Sequence, residues 1–311
     1  MILKILLNLF FVSYLLVPVE STDQAMVATL DDANQVSYQV TSHYLPEIGN
    51  KYKLPAKLGD SLGIKVSADS VIIIDANSGQ VLWQKNPGRS HPIASLTKLM
   101  TAYTFLGENY DLDKVVEISL TQKEDPEEST LNVSRGEQIT VYDLFYSALV
   151  GSANNATREL ATSLGYTESQ FTALMNEKAQ GLGLTETNFV DVTGISKGNV
   201  STASDYIKLV RLALNKELIQ DATTKLEHRF TTVSGSGHNI KNSNKLLERD
   251  LNIIAGKTGF INEAGYCLAL KVEDDEGNAI IILSLGSDSS SARFAEVKSL
   301  AQWTFLNYQW D

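Results

Sequence analysis

Ser95 and Lys98 stand three positions apart, and Leu96, Leu99, Met100 and Tyr103 recur around them at helical spacing. On a helix, positions three apart project from one side with Cβ atoms about 5–6 Å apart, so a lysine amine reaches a serine hydroxyl. A serine hydroxyl is a weak nucleophile until a base removes its proton. Lysine is such a base only where burial or a neighbouring cation holds its amine unprotonated. A helix starting near Ser95 also favours negative charge developing there. By itself the pair reads equally well as a helix-capping serine beside a surface lysine, because a motif with two free positions arises by chance.

Two further polar triplets follow in the chain, Ser152-Ala153-Asn154 and Lys257-Thr258-Gly259. Rival engines are missing. No His-Glu-x-x-His pair occurs, and His91, His228 and His238 have no recognisable pairing context. Gly256-Lys257-Thr258 lacks the earlier glycine of a phosphate loop, since none stands at 250, 251 or 252. The single cysteine, Cys267, lies in a strand-like run; it has no disulfide partner and cannot supply a thiolate cluster. A net charge of -11 with no basic stripe excludes a generic nucleic-acid grip. A small positive cleft is compatible with that total.

The three triplets in this order resemble the signature of penicillin-binding proteins and β-lactamases. Ala153 stands where that signature carries aspartate, so only the outer residues of the middle triplet match. The wider segments Pro92–Thr101, Leu182–Gly194, Asn242–Leu247 and Lys257–Leu268 resemble the serine D-alanyl-D-alanine carboxypeptidases, the low-molecular-mass penicillin-binding proteins, over roughly 66 to 308. The resemblance implies an α/β fold of the α+β type, an antiparallel sheet flanked by helices with a helix-rich inserted lobe. It also implies roles. Ser95 attacks the carbonyl of the penultimate D-alanine and Lys98 takes its proton. Ser152 relays a proton to the leaving amine, and Asn154 orients Lys98 and holds the substrate amide. Helix capping is the plainer reading of Ser152 and Asn154. Lys257 keeps Lys98 neutral and attracts an acidic substrate, Thr258 bonds the terminal carboxylate, and Gly259 lets the substrate backbone approach. Backbone N–H groups of Ser95 and Phe260 form the oxyanion hole, and Arg293 helps hold the carboxylate, with an ordinary helix-start arginine as its rival reading.

The implied partners are peptidoglycan stem peptides ending in D-Ala-D-Ala, with β-lactams as covalent inhibitors and no metal or organic cofactor. Hydrolysis of the terminal D-Ala-D-Ala bond is the leading expectation. Three alternatives stand beside it. The first is a cross-link endopeptidase, kept open because the chain ends soon after its last predicted helix. The second is a class A-like β-lactamase, for which Glu186 lacks the expected Glu-x-x-Leu-Asn surroundings. The third is a penicillin-sensing or wall-binding module without turnover.

The elements that must hold these residues are legible in outline. Lys4 followed by the apolar stretch Ile5 to Val17, closed by Pro18, predicts an export signal or N-terminal anchor over 1–27, and hence the periplasm or cell envelope with loose membrane or wall association. Residues 28–65 read as an irregular N-terminal extension, and 66–311 as the catalytic domain. Val71–Ile74, the turn Asn77-Ser78-Gly79 and Val81–Trp83 predict a hairpin. Residues 105–234 read as a helix-rich lobe, with helix starts at Thr140/Asp143, Thr167/Gln170 and Thr202/Asp205. Tyr266–Val272 and Ala279–Leu285 predict a second hairpin joined by a charged loop. A final helix presents Phe294, Val297, Leu300, Ala301 and Phe305 to that sheet. Two sequence-distant parts must therefore complete one sheet.

Overall fold

The computed structural model describes residues 54–119, 129–248 and 251–310 in full, together with the backbone of 26–30 and 36–40. The predicted signal or anchor at 1–27 and the charged run Lys123–Glu128 lie outside the described residues, apart from the backbone of the last two residues of the former. The chain divides into two compact units, Met1–Lys51 and Tyr52–Asp311. In the first, Met26–Leu30 pairs antiparallel with Val36–Val40, where the sequence pattern predicts irregular chain. In the second, Pro55–Lys57 pairs with Tyr308–Trp310, so the larger unit takes in residues assigned above to the extension. Strands of three to five residues are too short to declare themselves by pattern alone.

The larger unit is built on a five-stranded antiparallel sheet. Its first hairpin is β1 (Ser70–Asp75) and β2 (Val81–Lys85). After the helical middle come β3 (Glu227–Thr231) and β4 (Gly237–Lys241), which pair only with each other. The sheet is completed by β5 (Asn252–Ile261), β6 (Gly265–Glu273) and β7 (Ala279–Ser287). The spatial order is β5-β6-β7-β1-β2. Central strand β1 sets Ile73 opposite Ile282 of β7 and Trp83 of β2.

Both faces of this sheet are covered, which is why its central strands are continuous apolar runs rather than alternating ones. Val71, Ile73, Leu268, Leu270, Ile280 and Ile282 face the last helix, α7 (Ser290–Asn307), with its Phe294, Val297, Leu300 and Ala301. Ile72, Ile74, Ala269, Ile281 and Leu283 face the helical middle. That middle consists of α1 (Thr97–Phe105), α2 (Val141–Val150), α3 (Asn154–Thr162), α4 (Glu168–Gly181), α5 (Ala203–Ala213) and α6 (Glu217–Thr224). Its apolar side chains join those of the sheet in one cluster, so the inserted region shares its core with the sheet.

The helix starts form at the expected residues. Thr140 and Thr202 accept from the backbone N–H three residues on, and Thr167 with Gln170 closes a reciprocal capping box. The histidines act structurally. His228 lies 2.9 Å from Asp143 Oδ1 and packs against Tyr146 and Phe230, while His91 lies 3.3 Å from Asp69.

Candidate active site

Ser95 sits in a short 3₁₀ turn, Ala94–Leu96, and α1 begins two residues later at Thr97. The nucleophile thus precedes the α-helix rather than occupying its first turn. The preceding Ala94 has φ 48, a left-handed backbone that a side chain disfavours. Three neighbours hold the turn in place. Ile93 N–H donates to Asn199 O at 3.0 Å, and Tyr206 Oη donates to Leu96 O at 2.8 Å. The third is β5, which passes so close that a Cβ on Gly259 would lie 3.2 Å from Ser95 N and 3.1 Å from Ile93 O. Gly259 thus lets the strand lie against the Ser95 turn, where a Cβ would press the two apart by a few tenths of an ångström, a role distinct from letting a substrate backbone in.

Lys98 is buried and its Nζ has three oxygen neighbours: Ser95 Oγ at 2.9 Å, Asn154 Oδ1 at 2.5 Å and Thr193 O at 2.8 Å. Two of these oxygens only accept. In its neutral form the amine has two N–H groups and one lone pair, and donating to Asn154 and Thr193 would leave the lone pair for the Ser95 hydroxyl. Asn154 opens α3, whose N-cap residue Ala153 makes no side-chain cap. Capping is thus not the role of either outer member of the triplet. Ser152 adopts φ 60 and its Oγ accepts from Lys257 Nζ at 2.9 Å.

Lys257 reaches this point from β5, fully buried, and also donates to Thr258 O at 3.0 Å. Burial, with Lys98 and the Arg293 guanidinium close by, holds its amine well below the usual lysine range. Thr258 Oγ1 lies 2.6 Å from Ser243 Oγ. Arg293, on the first turns of α7, donates through Nη1 to Gly259 O at 3.0 Å and to Cys267 O at 3.3 Å. Its guanidinium also lies over the rings of Tyr266 and Phe294. Burial lowers its pKa to about 10, and its Nε is buried without a hydrogen-bond partner. Phe260 stacks on Tyr266 with 4.4 Å between ring centres.

Ser95, Ser152, Asn154, Thr258, Gly259, Phe260 and Arg293 line one cleft of about 370 Å³. Lys98 and Lys257 lie buried behind it, each bonded to one of its serines. The fold thereby gathers all nine predicted residues. Glu186 is exposed and does not line the cleft, while Cys267 is buried in β6 with its thiol pushed up to about 11 by desolvation.

Three positioning residues escaped the sequence reading. Thr193 contributes only its carbonyl to Lys98. Asp191 folds the loop that presents it, accepting from the N–H groups of Thr193, Gly194 and Ser196. Asn199 fastens this loop to α1, donating to Thr97 Oγ1 at 3.0 Å and to Asp191 O at 2.9 Å. The only available signal was the run Asp191 to Gly194, noted above as a family-like segment.

Residues 57–289 match the family described as D-alanyl-D-alanine carboxypeptidase, and the chain belongs to that family of serine peptidases. A D-alanyl-D-alanine endopeptidase of Pseudomonas aeruginosa is 33% identical over 254 residues, covering 80% of this chain and 81% of its own. The D-alanyl-D-alanine carboxypeptidase DacA of Haemophilus influenzae is 28% identical over 254 residues, covering 79% of this chain and 63% of its own. Among solved structures, the Streptomyces K15 DD-transpeptidase superimposes with a TM-score of 0.73 at 27% identity, covering 79% of this chain and all of that one. The architecture is that of the penicillin-binding proteins, as the resemblance implied.

Proposed function

We propose that this chain is an exported hydrolase of D-alanyl peptide bonds in peptidoglycan, working through an acyl-enzyme on Ser95. The observation that carries this reading is the pairing of Lys98 Nζ with Ser95 Oγ, with the acceptors Asn154 Oδ1 and Thr193 O beside it. Ser95 Oγ bonds to the D-alanyl carbonyl carbon as its proton passes to Lys98. The carbonyl oxygen becomes an oxyanion facing the N–H groups of Ser95 and Phe260; removing one such donor typically costs about 3 kcal/mol. The C–N bond then breaks, and the proton reaches the departing amine through the Ser152 hydroxyl, which Lys257 holds. Water attacks the ester, giving its proton back through Lys98, and free Ser95 returns. The leaving group's carboxylate meets Thr258 and Arg293. An export signal at 1–27 agrees with a substrate outside the cytoplasmic membrane.

The sequence reading puts the terminal D-Ala-D-Ala bond first. The better two-way coverage of an endopeptidase relative supports the cross-link instead, and we place that bond first, with carboxypeptidase activity second. Cross-linked and uncross-linked muropeptides incubated with the mature protein and analysed by mass spectrometry test this. Dimers are expected to open. Release of terminal D-alanine alone would reverse the order. Ser95→Ala is expected to lose at least about 10³-fold in turnover while keeping its thermal unfolding transition. A variant that still hydrolyses these peptides would remove the acyl-enzyme. Rapid turnover of a chromogenic cephalosporin would favour the β-lactamase reading. Stoichiometric penicillin labelling with neither product would favour the sensor.

A further inference from the structure

Among its described lining residues the cleft carries two charged side chains, Arg293 and Glu263. They lie at different stations. Arg293 is tied to Gly259, within the strand that flanks Ser95. Glu263 lies in the tight turn after β5, where Ala264 N–H donates to Ile261 O at 3.1 Å. It is exposed, and its carboxylate has no hydrogen-bond or ion-pair partner among the described residues. No other carboxylate lines the cleft among the described residues.

The direction of the substrate follows from the reading proposed above. If Thr258 and Arg293 hold the leaving group's carboxylate, that group occupies the Thr258 end of β5. The acyl portion then extends the other way, past Phe260. Ile261, the last residue of the strand, lies three residues and so about 10 Å beyond Thr258. Glu263, two residues further along the chain, lines the same cleft, on the side where the residue preceding the scissile D-alanine would lie. In a peptidoglycan stem that residue is a diamino acid, and its side-chain amine is cationic unless it is itself cross-linked. We infer that Glu263 is a specificity-determining residue that pairs with this free ammonium on the acyl-donor stem. The enzyme then selects cross-links whose donor stem carries no second bridge.

The inference rests on the D-alanyl reading of the site, and its test separates the two. The probes are two cross-linked peptide dimers, identical except that the donor's side-chain amine is free in one and acetylated in the other. The readout is the ratio of their kcat/KM values with the full chain. Wild type is expected to favour the free amine roughly two- to fivefold, the range of a partly solvated ion pair. Glu263→Gln should bring the ratio to one, Glu263→Lys should invert it, and Glu263→Asp should restore part of it. Raised salt should shrink the wild-type ratio, because the pair is open to screening. Penicillin labelling of Ser95 in each variant reports that the centre is folded. A wild-type ratio of one, or a ratio unchanged in labelled Glu263→Gln, overturns the inference and leaves the D-alanyl reading standing. A wild-type chain that labels but cleaves neither dimer overturns both.

Discussion

Lys257 brings an amine into a buried site whose hydrogen-bond partners are a hydroxyl and a carbonyl. In the unfolded chain that amine is charged at neutral pH, with a pKa of about 10.4. Folding pulls the pKa well below that. Between the two values the unfolded state binds more protons, so stability rises with pH across that window. Lys257→Met is accordingly expected to abolish penicillin acylation yet raise the unfolding midpoint at pH 7. Its stability gain over wild type should narrow as pH approaches 10.4. Urea unfolding of both proteins at pH 7 and pH 10 checks the sign; a gap that widens with pH would contradict it. At this scale the sequence was informative through the resemblance of its three triplets, which singled out Ser95, Lys98, Ser152, Asn154 and Lys257, whereas spacing alone left Ser95 and Lys98 open to a capping reading. It was silent on Thr193, because a backbone carbonyl has no residue signature, and on Asn199, whose four bonds serve a loop rather than a substrate.

Among the elements, the loop from Asp191 to Asn199 is the piece on which the base depends. Gly194 has φ 85, and a Cβ there would lie 1.9 Å from Ala94 O, an overlap that only backbone movement relieves. Gly194→Ala should therefore push the loop away from the Ser95 turn and take the Thr193 carbonyl with it. A fall in acylation rate of about 10²-fold is expected, since misplacement by an ångström costs that much. Stopped-flow kinetics with a fluorescent penicillin measures it. The capping box of α4 gives the contrasting case. Thr167→Ala should lower stability by about 0.5–2 kcal/mol and leave the acylation rate at the wild-type value. The caps were legible because a threonine followed three residues on by Gln or Asp reports a local hydrogen bond. The 3₁₀ turn at Ser95 was not, since the choice between a 3₁₀ and an α turn is made by Tyr206, Asn199 and Gly259, which arrive from distant parts of the chain.

For the molecule as a whole, the sheet joins a hairpin near the beginning of the larger unit to three strands near its end. Ile73 lies at the junction, fully buried on the α7 face. Ile73→Ala is expected to cost about 2–5 kcal/mol, which a denaturant titration would read as a lower midpoint with little change in slope. The apolar runs made the hairpins and the last helix plain. The short pairings Met26–Leu30 with Val36–Val40 and Pro55–Lys57 with Tyr308–Trp310 stayed hidden, because runs of three to five residues carry almost no periodic signal.

The strand order has a further consequence for the timing of activity. A ribosome delivers Ser95 and Lys98 in the first third of the chain, but β5, which presses Gly259 against the nucleophile and brings Lys257 to Ser152, comes more than 150 residues later. Until that segment has emerged and docked, the growing polypeptide holds a serine and a lysine without an oxyanion hole or a proton route. On the mechanism proposed above, the order of synthesis itself keeps an unfinished molecule chemically silent.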